Sequence, residues 1–264
     1  MLEPLTTAIR VLPVAQLVAQ GKWRAEAMHS YEAHTLIWFS KGQGRIVIAG
    51  TRAAFSANTI VFLPAGTAHA FEVKSGTFGT AALVRDHPSL EMPEVPILYR
   101  PKDLLRHGEF VSLFEAMQRE ANQPPSAASE RACRCHAGIL GVWLERQENQ
   151  LKDAARLSAS ERLARRYAEL LEVRYASGAN VQSMAQELGV TATHLTRACQ
   201  AAAGASAHQL LNDRLMYEAR DLLAGTTIPV SRIAADLGFS SAAYFTRAFQ
   251  KATGKTPSAF RTGS

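Results

Sequence analysis

Cysteine is scarce in these 264 residues: Cys133, Cys135 and Cys199 are the only three. An odd number without framework spacing excludes a disulfide scaffold and fits a reducing compartment. Equally missing is any run near the ~18 apolar residues that a membrane span requires. The opening "MLEPLTTAIRVLPVAQLVAQ" has no basic stretch and is broken by Glu3, Pro4, Arg10 and Pro13. No signal peptide is expected there, and the chain is expected in the cytoplasm, away from membranes. Charge of one sign is lacking too, since 29 Lys+Arg stand against 23 Asp+Glu. From Glu161 onward twelve basic residues oppose eight acidic ones, a net of +4, which leaves +2 of the total +6 for everything before. That balance fits an anionic partner and fits a merely soluble surface equally well. A hydrophobic share of 47% with 17 Gly and 11 Pro excludes disorder and fibre. It suffices for one large core or two modest ones.

The first hundred residues read as strands. "HTLIWFS", "GRIVIAG" and "NTIVFLPAG" are short β-branched and aromatic runs punctuated by Gly, Asn and Pro. Such spacing predicts a small barrel or sandwich. From Pro101 the period changes: Leu105, Phe110, Leu113, Phe114 and Met117 fall on one helical face. "QPPSAAS" at 123–129 is a break, after which a helix resumes at "ILGVWLERQENQLK". "CRCH" at 133–136 has the look of a metal-site fragment, but no second pair completes four ligands. Ser158 and Glu161 have capping-box spacing, ahead of a stripe of Leu163, Tyr167, Leu170 and Leu171 that stops at Ser177-Gly178.

Two later stretches repeat each other. Val181, Met184, Ala185 and Leu188 fall at i, i+3, i+4 and i+7, as do Val230, Ile233, Ala234 and Leu237. Each set ends in Gly, Gly189 or Gly238, followed by an apolar residue and a hydroxyl, Thr191 or Ser240, suited to cap a new helix. Second helices follow, with Leu195, Ala198, Cys199 and Ala202 matching Phe245, Ala248, Phe249 and Ala252. Two short helices joined by a Gly-containing turn make a helix-turn-helix. Ala185 and Ala234 stand where the helices of each pair must approach closely. By elimination the outward faces carry Ala192, Thr193, Thr196, Arg197 and Gln200 in the first copy. Ser241, Ala242, Ala243, Thr246, Arg247, Gln250 and Lys251 belong to the same surface in the second. Arg reads guanine, Gln adenine, and an Ala methyl meets thymine, so this surface suits a major groove. Between the copies "SAHQLLNDRLMYEARDLLAG" predicts a rod of about eighteen residues, ~27 Å, which holds two reading helices about one DNA turn apart.

Residues 161–261 resemble the DNA-binding domain of the AraC/XylS family of bacterial transcription regulators. Arg214-Leu215, Glu218-Ala219-Arg220 and Leu222-Leu223 carry the likeness in the rod. Ile233-Ala234, Gly238-Phe239, Tyr244-Phe245, Arg247-Ala248-Phe249, Gly254, Thr256-Pro257 and Phe260-Arg261 continue it. Gln250-Lys251 departs from the family's usual basic pair. "FLPAGTAHAF" at 62–71 has the Pro-x-Gly-x-x-His spacing of a cupin motif, so the N-terminal part resembles the family's cupin-like effector domain, a β-barrel. The resemblance implies a small-molecule effector, RNA polymerase as a partner, and a homodimer. Strand alternation puts His34, Leu36 and Trp38 on one face and Ile37 and Phe39 on the other. Phe62, His69 and Phe71 join one of these. With Arg45 or Arg52 nearby, these side chains suit a small aromatic acid, or are simply core. His29, His34 and His69 are conceivable metal ligands, but the His-x-His pair of a metal cupin is absent, so no metal or other cofactor is expected.

The expected fold class is α+β. Residues 1–100 form a cupin-like barrel that binds the effector through His34, Trp38, Arg45, Phe62, His69 and Phe71. Residues 101–156 form a helical linker and dimerisation region. Residues 157–264 form an all-α domain with helix-turn-helix motifs at about 181–203 and 230–253. The expected function is a non-enzymatic, ligand-responsive activator that binds a double-stranded DNA operator. Two rivals are a metal-dependent cupin enzyme with an appended DNA-binding module, and a constitutive DNA-binding protein whose barrel only dimerises.

Overall fold

The computed structural model describes residues 8–19, 21–72, 74–152 and 157–263. β1 (Ile9–Pro13) runs into two single-turn helices, α1 (Val14–Leu17) and α2 (Trp23–Glu26). Seven strands follow: β2 (His34–Lys41), β3 (Gly44–Ile48), β4 (Thr51–Phe55), β5 (Thr59–Leu63), β6 (His69–Phe71), β7 (Phe78–Val84) and β8 (Ile97–Tyr99). β-Branched and aromatic residues favour the pleated, half-buried surface, and the period of two divides β2 between two cores. Leu36 and Trp38 face one of them, Ile37 and Phe39 the other.

The strands pair as two antiparallel sheets, in the orders β1-β7-β2-β5-β8 and β4-β3-β6. They stack through Ile37, Phe39, Val61 and Leu83 of the first and Ile46, Phe55 and Phe71 of the second. Phe39 lies flat on Phe55 at 3.8 Å and meets Phe71 edge-on at 5.9 Å. The expected barrel is thereby corrected to a sandwich, because among the described residues no strand pairing joins the two sheets. A local cause lies in β2, whose register shifts between Phe39 and Lys41 just before the chain passes to the second sheet. Such an irregularity bends a strand out of its ladder.

α3 (Leu104–Ala121) and α4 (Ala127–Lys152) cover the outer face of the larger sheet. Phe110, Phe114, Met117, Leu140, Trp143 and Leu144 share one core with Leu36, Ile60, Phe62 and Ile97. Packing therefore joins these helices to the sheets as a third layer. Leu105, expected on the buried face, is 74% exposed, since the buried stripe begins only at Phe110. α4 starts twelve residues ahead of the apolar run at Ile139. Ser126 and Ser129 each accept the other's backbone N–H, at 3.0 and 2.9 Å, and this reciprocal cap starts the helix without a Glu. Within α4, Cys133 is buried and Cys135 exposed. Two residues turn a helix through ~200°, so the pair cannot share a metal.

The expected boundary at 156 falls within 153–156, outside the described residues. Beyond it α5 (Ala159–Arg174) opens with the capping box of Ser158 and Glu161. Hydrogen bonds at the Ser158 backbone and hydroxyl hold the Glu161 carboxyl below its ordinary range. After a single turn at Tyr175–Ser177 come α6 (Val181–Glu187), α7 (Ala192–Ala203), α8 (Ala207–Gly225), α9 (Val230–Asp236), α10 (Ala242–Thr253) and α11 (Pro257–Thr262). Two cores divide them. Leu163, Tyr167, Leu171, Met184, Leu195, Cys199 and Leu210 form one, and Met216, Leu223, Ile233, Phe245 and Phe249 the other. α8 contributes to both.

The sheets also touch the C-terminal helices. Met28 and Ala68 are buried within the core of α5 to α8. The β3–β4 turn, Ala49-Gly50, has φ of 45° and 75°, the left-handed pair of a two-residue hairpin. Its tip rests on α5 so closely that a Cβ on Gly50 would lie 2.5 Å from the carbonyl oxygen of Ala164.

Candidate nucleic-acid interface

The first unit begins where Asn180 accepts the backbone N–H of Ser183 at 2.9 Å while Ser183 Oγ accepts that of Asn180 at 3.2 Å. α6 buries Met184 and Ala185, with Ala185 fully enclosed. The chain turns at Gly189, φ 75°, and Thr191 Oγ1 accepts the His194 N–H to start α7. The second unit repeats this geometry. Val190 N–H donates to the Ala185 carbonyl at 2.9 Å, and Phe239 N–H to that of Ala234 at 2.9 Å. The preceding Gly189 and Gly238 N–H groups donate to the Gln186 and Ala235 carbonyls, each at 3.0 Å, so both turns are closed in the same way. The cap of α10 is Ser241, whose Oγ accepts the Tyr244 N–H at 3.1 Å. It was expected at Ser240; the one extra residue of the second turn moves it.

Burial then selects the faces. Leu195, Ala198, Cys199 and Ala202 of α7 point into the core, as do Phe245 and Phe249 of α10. Burial pushes the Cys199 thiol up to about 12, which leaves it an inert core residue. Ala252, expected inside, is exposed because the last turn of α10 passes beyond the core filled by Phe245 and Phe249. On the outside of α7, Thr193, Arg197 and Gln200 are exposed and Ala192 and Thr196 half-buried. On α10, Ala243, Arg247, Gln250 and Lys251 are exposed with Ser241, and Ala242 and Thr246 are half-buried. Sequence reasoning missed His194 and Tyr244, both exposed, at equivalent positions on these faces. The fifty-residue offset of the repeat contained that signal.

Among the described residues, three arginines of this domain are held in ion pairs. Arg174 pairs with Glu187 at 3.2 Å and Arg232 with Asp236 at 2.9 Å. Arg214 is enclosed, bonded to Glu172 at 3.0 Å and Glu218 at 2.8 Å, with its guanidinium 3.8 Å above the Tyr175 ring. Burial opposes its charge, but the two carboxylates outweigh that and its pKa is raised. Arg197 and Arg247 have no ion-pair partner among the described residues. Their charge is available to an anion. The turn that leads from α5 into the first unit also meets the second unit directly, at Gly178 and Gly238. A Cβ on Gly238 would stand 2.3 Å from the Gly178 nitrogen. With α8, 19 residues and ~28 Å long, this contact holds the two units in one arrangement.

The six residues expected to bind an effector do not share one cavity. His34, Trp38 and Phe62 lie toward the layer between the larger sheet and α3–α4, His34 stacking on Phe62 at 6.0 Å. Phe71 is between the sheets, and Arg45 is exposed. His69 lies against His29, with ring centroids 4.3 Å apart. His34 points elsewhere, 3.5 Å from Asp86, so the three histidines do not converge.

Residues 184–263 match the family model described as "Helix-turn-helix domain". The chain is 28% identical over 156 residues to the uncharacterized HTH-type transcriptional regulator YijO of Escherichia coli K12, covering 59% of this chain and 53% of that one. Over 87 residues it is 31% identical to the arabinose operon regulatory protein of the same organism, covering 33% and 30%. The chain thus spans about half the length of one curated relative and less of the other. Unsaturated fatty acid bound wild-type ToxT from Vibrio cholerae strain SCE256 aligns over 100% of this chain and 99% of its own. Its identity is 14% and its TM-score 0.45, a likeness too loose to place one residue upon another. No described helix is long and apolar enough to cross a membrane. Two equivalent helix-turn-helix units on one shared rod, with the family match over residues 184–263 and the likeness to the arabinose operon regulatory protein, make the C-terminal part of this chain a helix-turn-helix domain similar to that of AraC-type transcription regulators.

Proposed function

We propose that the chain regulates transcription by binding a double-stranded operator through both helix-turn-helix units at once. The observation that carries this is the match of two exposed surfaces, Thr193, Thr196, Arg197 and Gln200 on α7 and Ala243, Thr246, Arg247 and Gln250 on α10. A bidentate Arg reads guanine O6 and N7, a Gln reads adenine N6 and N7, and methyl groups meet thymine. A ~28 Å rod with a helix at each end suits two major-groove segments ~34 Å apart. Subunit pairing belongs to the same reading. Leu104 and Leu105 of α3, and Ile139 and Val142 of α4, are all about half exposed or more, an apolar surface that a second copy would cover.

Sensing a small molecule is the finer part of the proposal. Its support is the layer behind α3 and α4, where Trp38 meets His107 at 6.1 Å and Phe110 at 5.9 Å, and Phe110 meets Trp143 at 5.3 Å. The indole N–H groups of Trp38 and Trp143 are buried there without an acceptor among the described residues. A small aromatic acid offers both the ring and the acceptor that this layer suits.

The test is selection of binding sites from genomic DNA, followed by affinity measured at fixed salt. Arg197→Ala and Arg247→Ala should each weaken specific binding by about 1–3 kcal/mol and leave the far-ultraviolet circular dichroism unchanged. A wild-type chain with no sequence preference, or variants that bind the operator normally, would overturn the reading.

A further inference from the structure

The sheets meet the C-terminal domain through an unusual patch. His29 is fully buried and His69 is 1% exposed, with their ring centroids 4.3 Å apart. His29 also lies flat on Tyr217 of α8, at 4.5 Å and 8°. Tyr31 closes the group from the side, 4.9 Å from His29 and 5.3 Å from His69. Each histidine directs Nδ1 at a backbone carbonyl, that of Ala27 at 2.8 Å and that of Thr67 at 2.9 Å. Nδ1 is therefore the protonated nitrogen of each neutral ring, and Nε2 is left as a lone-pair site. Neither Nε2 has a hydrogen-bond partner among the described residues.

The charges around the pair oppose a further proton. From α2 comes Arg24, bonded to Asp221 of α8 at 3.0 Å. From α8 comes Arg214, which holds Glu218 and, on α5, Glu172. Glu172 also accepts the hydroxyl proton of Ser30 at 2.7 Å. Each of the three nearby carboxylates thus already has an arginine. An imidazolium at either position would find no uncommitted anion and a second ring at 4.3 Å, and at His29 it would also meet the charges of Arg24 and Arg214. The remaining neighbours are the phenols of Tyr31 and Tyr217, whose ionisation burial pushes upward.

We propose that this contact is a proton-sensitive latch: it holds the sheets on α5 and α8 while both histidines are neutral, and it opens when they take protons. Opening releases Tyr217 and Asp221 of the helix that both helix-turn-helix units share, and parts Glu172 of α5 from Ser30. Acidity is then an input to the DNA-binding domain separate from any small molecule, and independent of which operator it binds.

The direction follows from burial. In the closed form desolvation, together with His69 and the two arginines, holds His29 well below its ordinary value, and desolvation holds His69 down at about 4. An open form restores both to about 6.5. The latch is thus at full strength above about pH 6.5 and weakens as the pH falls toward 4. At pH 5.5 each histidine favours opening by about tenfold, and the two together by about 100-fold.

Met28, 3% exposed and packed into the core of the C-terminal domain, gives the readout. In the full chain carrying Met28→Cys and Cys135→Ser, the labelling rate of Cys at 28 by dithiodipyridine, divided by that of a free cysteine peptide at the same pH, reports the opening constant. It should rise about 100-fold between pH 7.5 and 5.5. Adding His29→Asn and His69→Asn keeps a donor at the Nδ1 position but removes the titration, and should reduce the rise to threefold or less. If that chain fails to fold by circular dichroism, each single substitution should leave a rise of about tenfold. A parent whose normalised rate changes less than threefold, or substituted chains that keep the full rise, would overturn the proposal.

Discussion

Gly238 has no room for a side chain. Its φ of 74° is in the left-handed region, and a Cβ would meet the Gly178 nitrogen at 2.3 Å and the Ala176 carbonyl oxygen at 2.9 Å. Both obstacles are backbone, so neither moves aside cheaply. Gly238→Ala should destabilise the C-terminal domain by about 1–3 kcal/mol or more, read as a lower urea midpoint at unchanged slope. Gly189 is the control within the same chain. It has the same φ, yet no atom lies within 4 Å of its absent Cβ. Gly189→Ala should cost only the conformational part, about 1 kcal/mol. Equal losses at the two positions would show that the contact with Gly178 carries no energy.

Among the elements, α8 depends on a charge that its own pattern does not reveal. Arg214 is 5% exposed, and removing it strands Glu172 and Glu218 in a largely dry contact. Arg214→Met should cost about 3–5 kcal/mol, more than a typical loss of packing, and Glu172→Gln in the same chain should restore part of it. Thermal unfolding of the three chains decides this; a loss below 1 kcal/mol would mean that water reaches the carboxylates. Helix periodicity shows Arg214 on an inward face but not what meets it there. The same limit separates the legible parts of the molecule from the rest. The paired helices were legible because Met184-Ala185 and Ile233-Ala234 repeat a local pattern that their own turns close. His69 was legible as the end of a Pro-x-Gly-x-x-His turn, yet its neighbour His29 lies 40 residues away, and Tyr217, stacked on His29, another 188 from that. The choice between barrel and sandwich was hidden for a related reason: alternation assigns Ile37 and Phe39 to a face, and only the pairing of strands says whether the sheets close. Ser126 and Ser129 cap α4 with a hydroxyl where the usual pattern has Glu, which is why its start was read too late.

For the whole molecule, the sheets reach both halves of the C-terminal domain. Trp23 packs against Tyr217 at 5.4 Å and Phe260 of α11 at 6.2 Å, and the Ala49-Gly50 turn sits on α5. A Cβ on Gly50 would strike the Ala164 carbonyl, so Gly50→Ala should loosen this docking even at neutral pH. Faster modification of a thiol at position 28 at pH 7.5 would register it, and an unchanged rate would mean that the hairpin tip is not part of the contact. The seam at Gly178 and Gly238 has a consequence of another kind, for the DNA. Two reading helices tied both by a rod and by a backbone contact cannot rotate against each other to follow the duplex. One base pair inserted between the two segments of an operator shifts the second by ~3.4 Å and turns it by ~36° about the axis. A chain with a flexible tether would absorb that change; here one unit must lose its bases, and affinity should fall to that of a single unit. Inserting a full turn of ~10 base pairs restores the angle but not the reach, so it should rescue nothing within one chain.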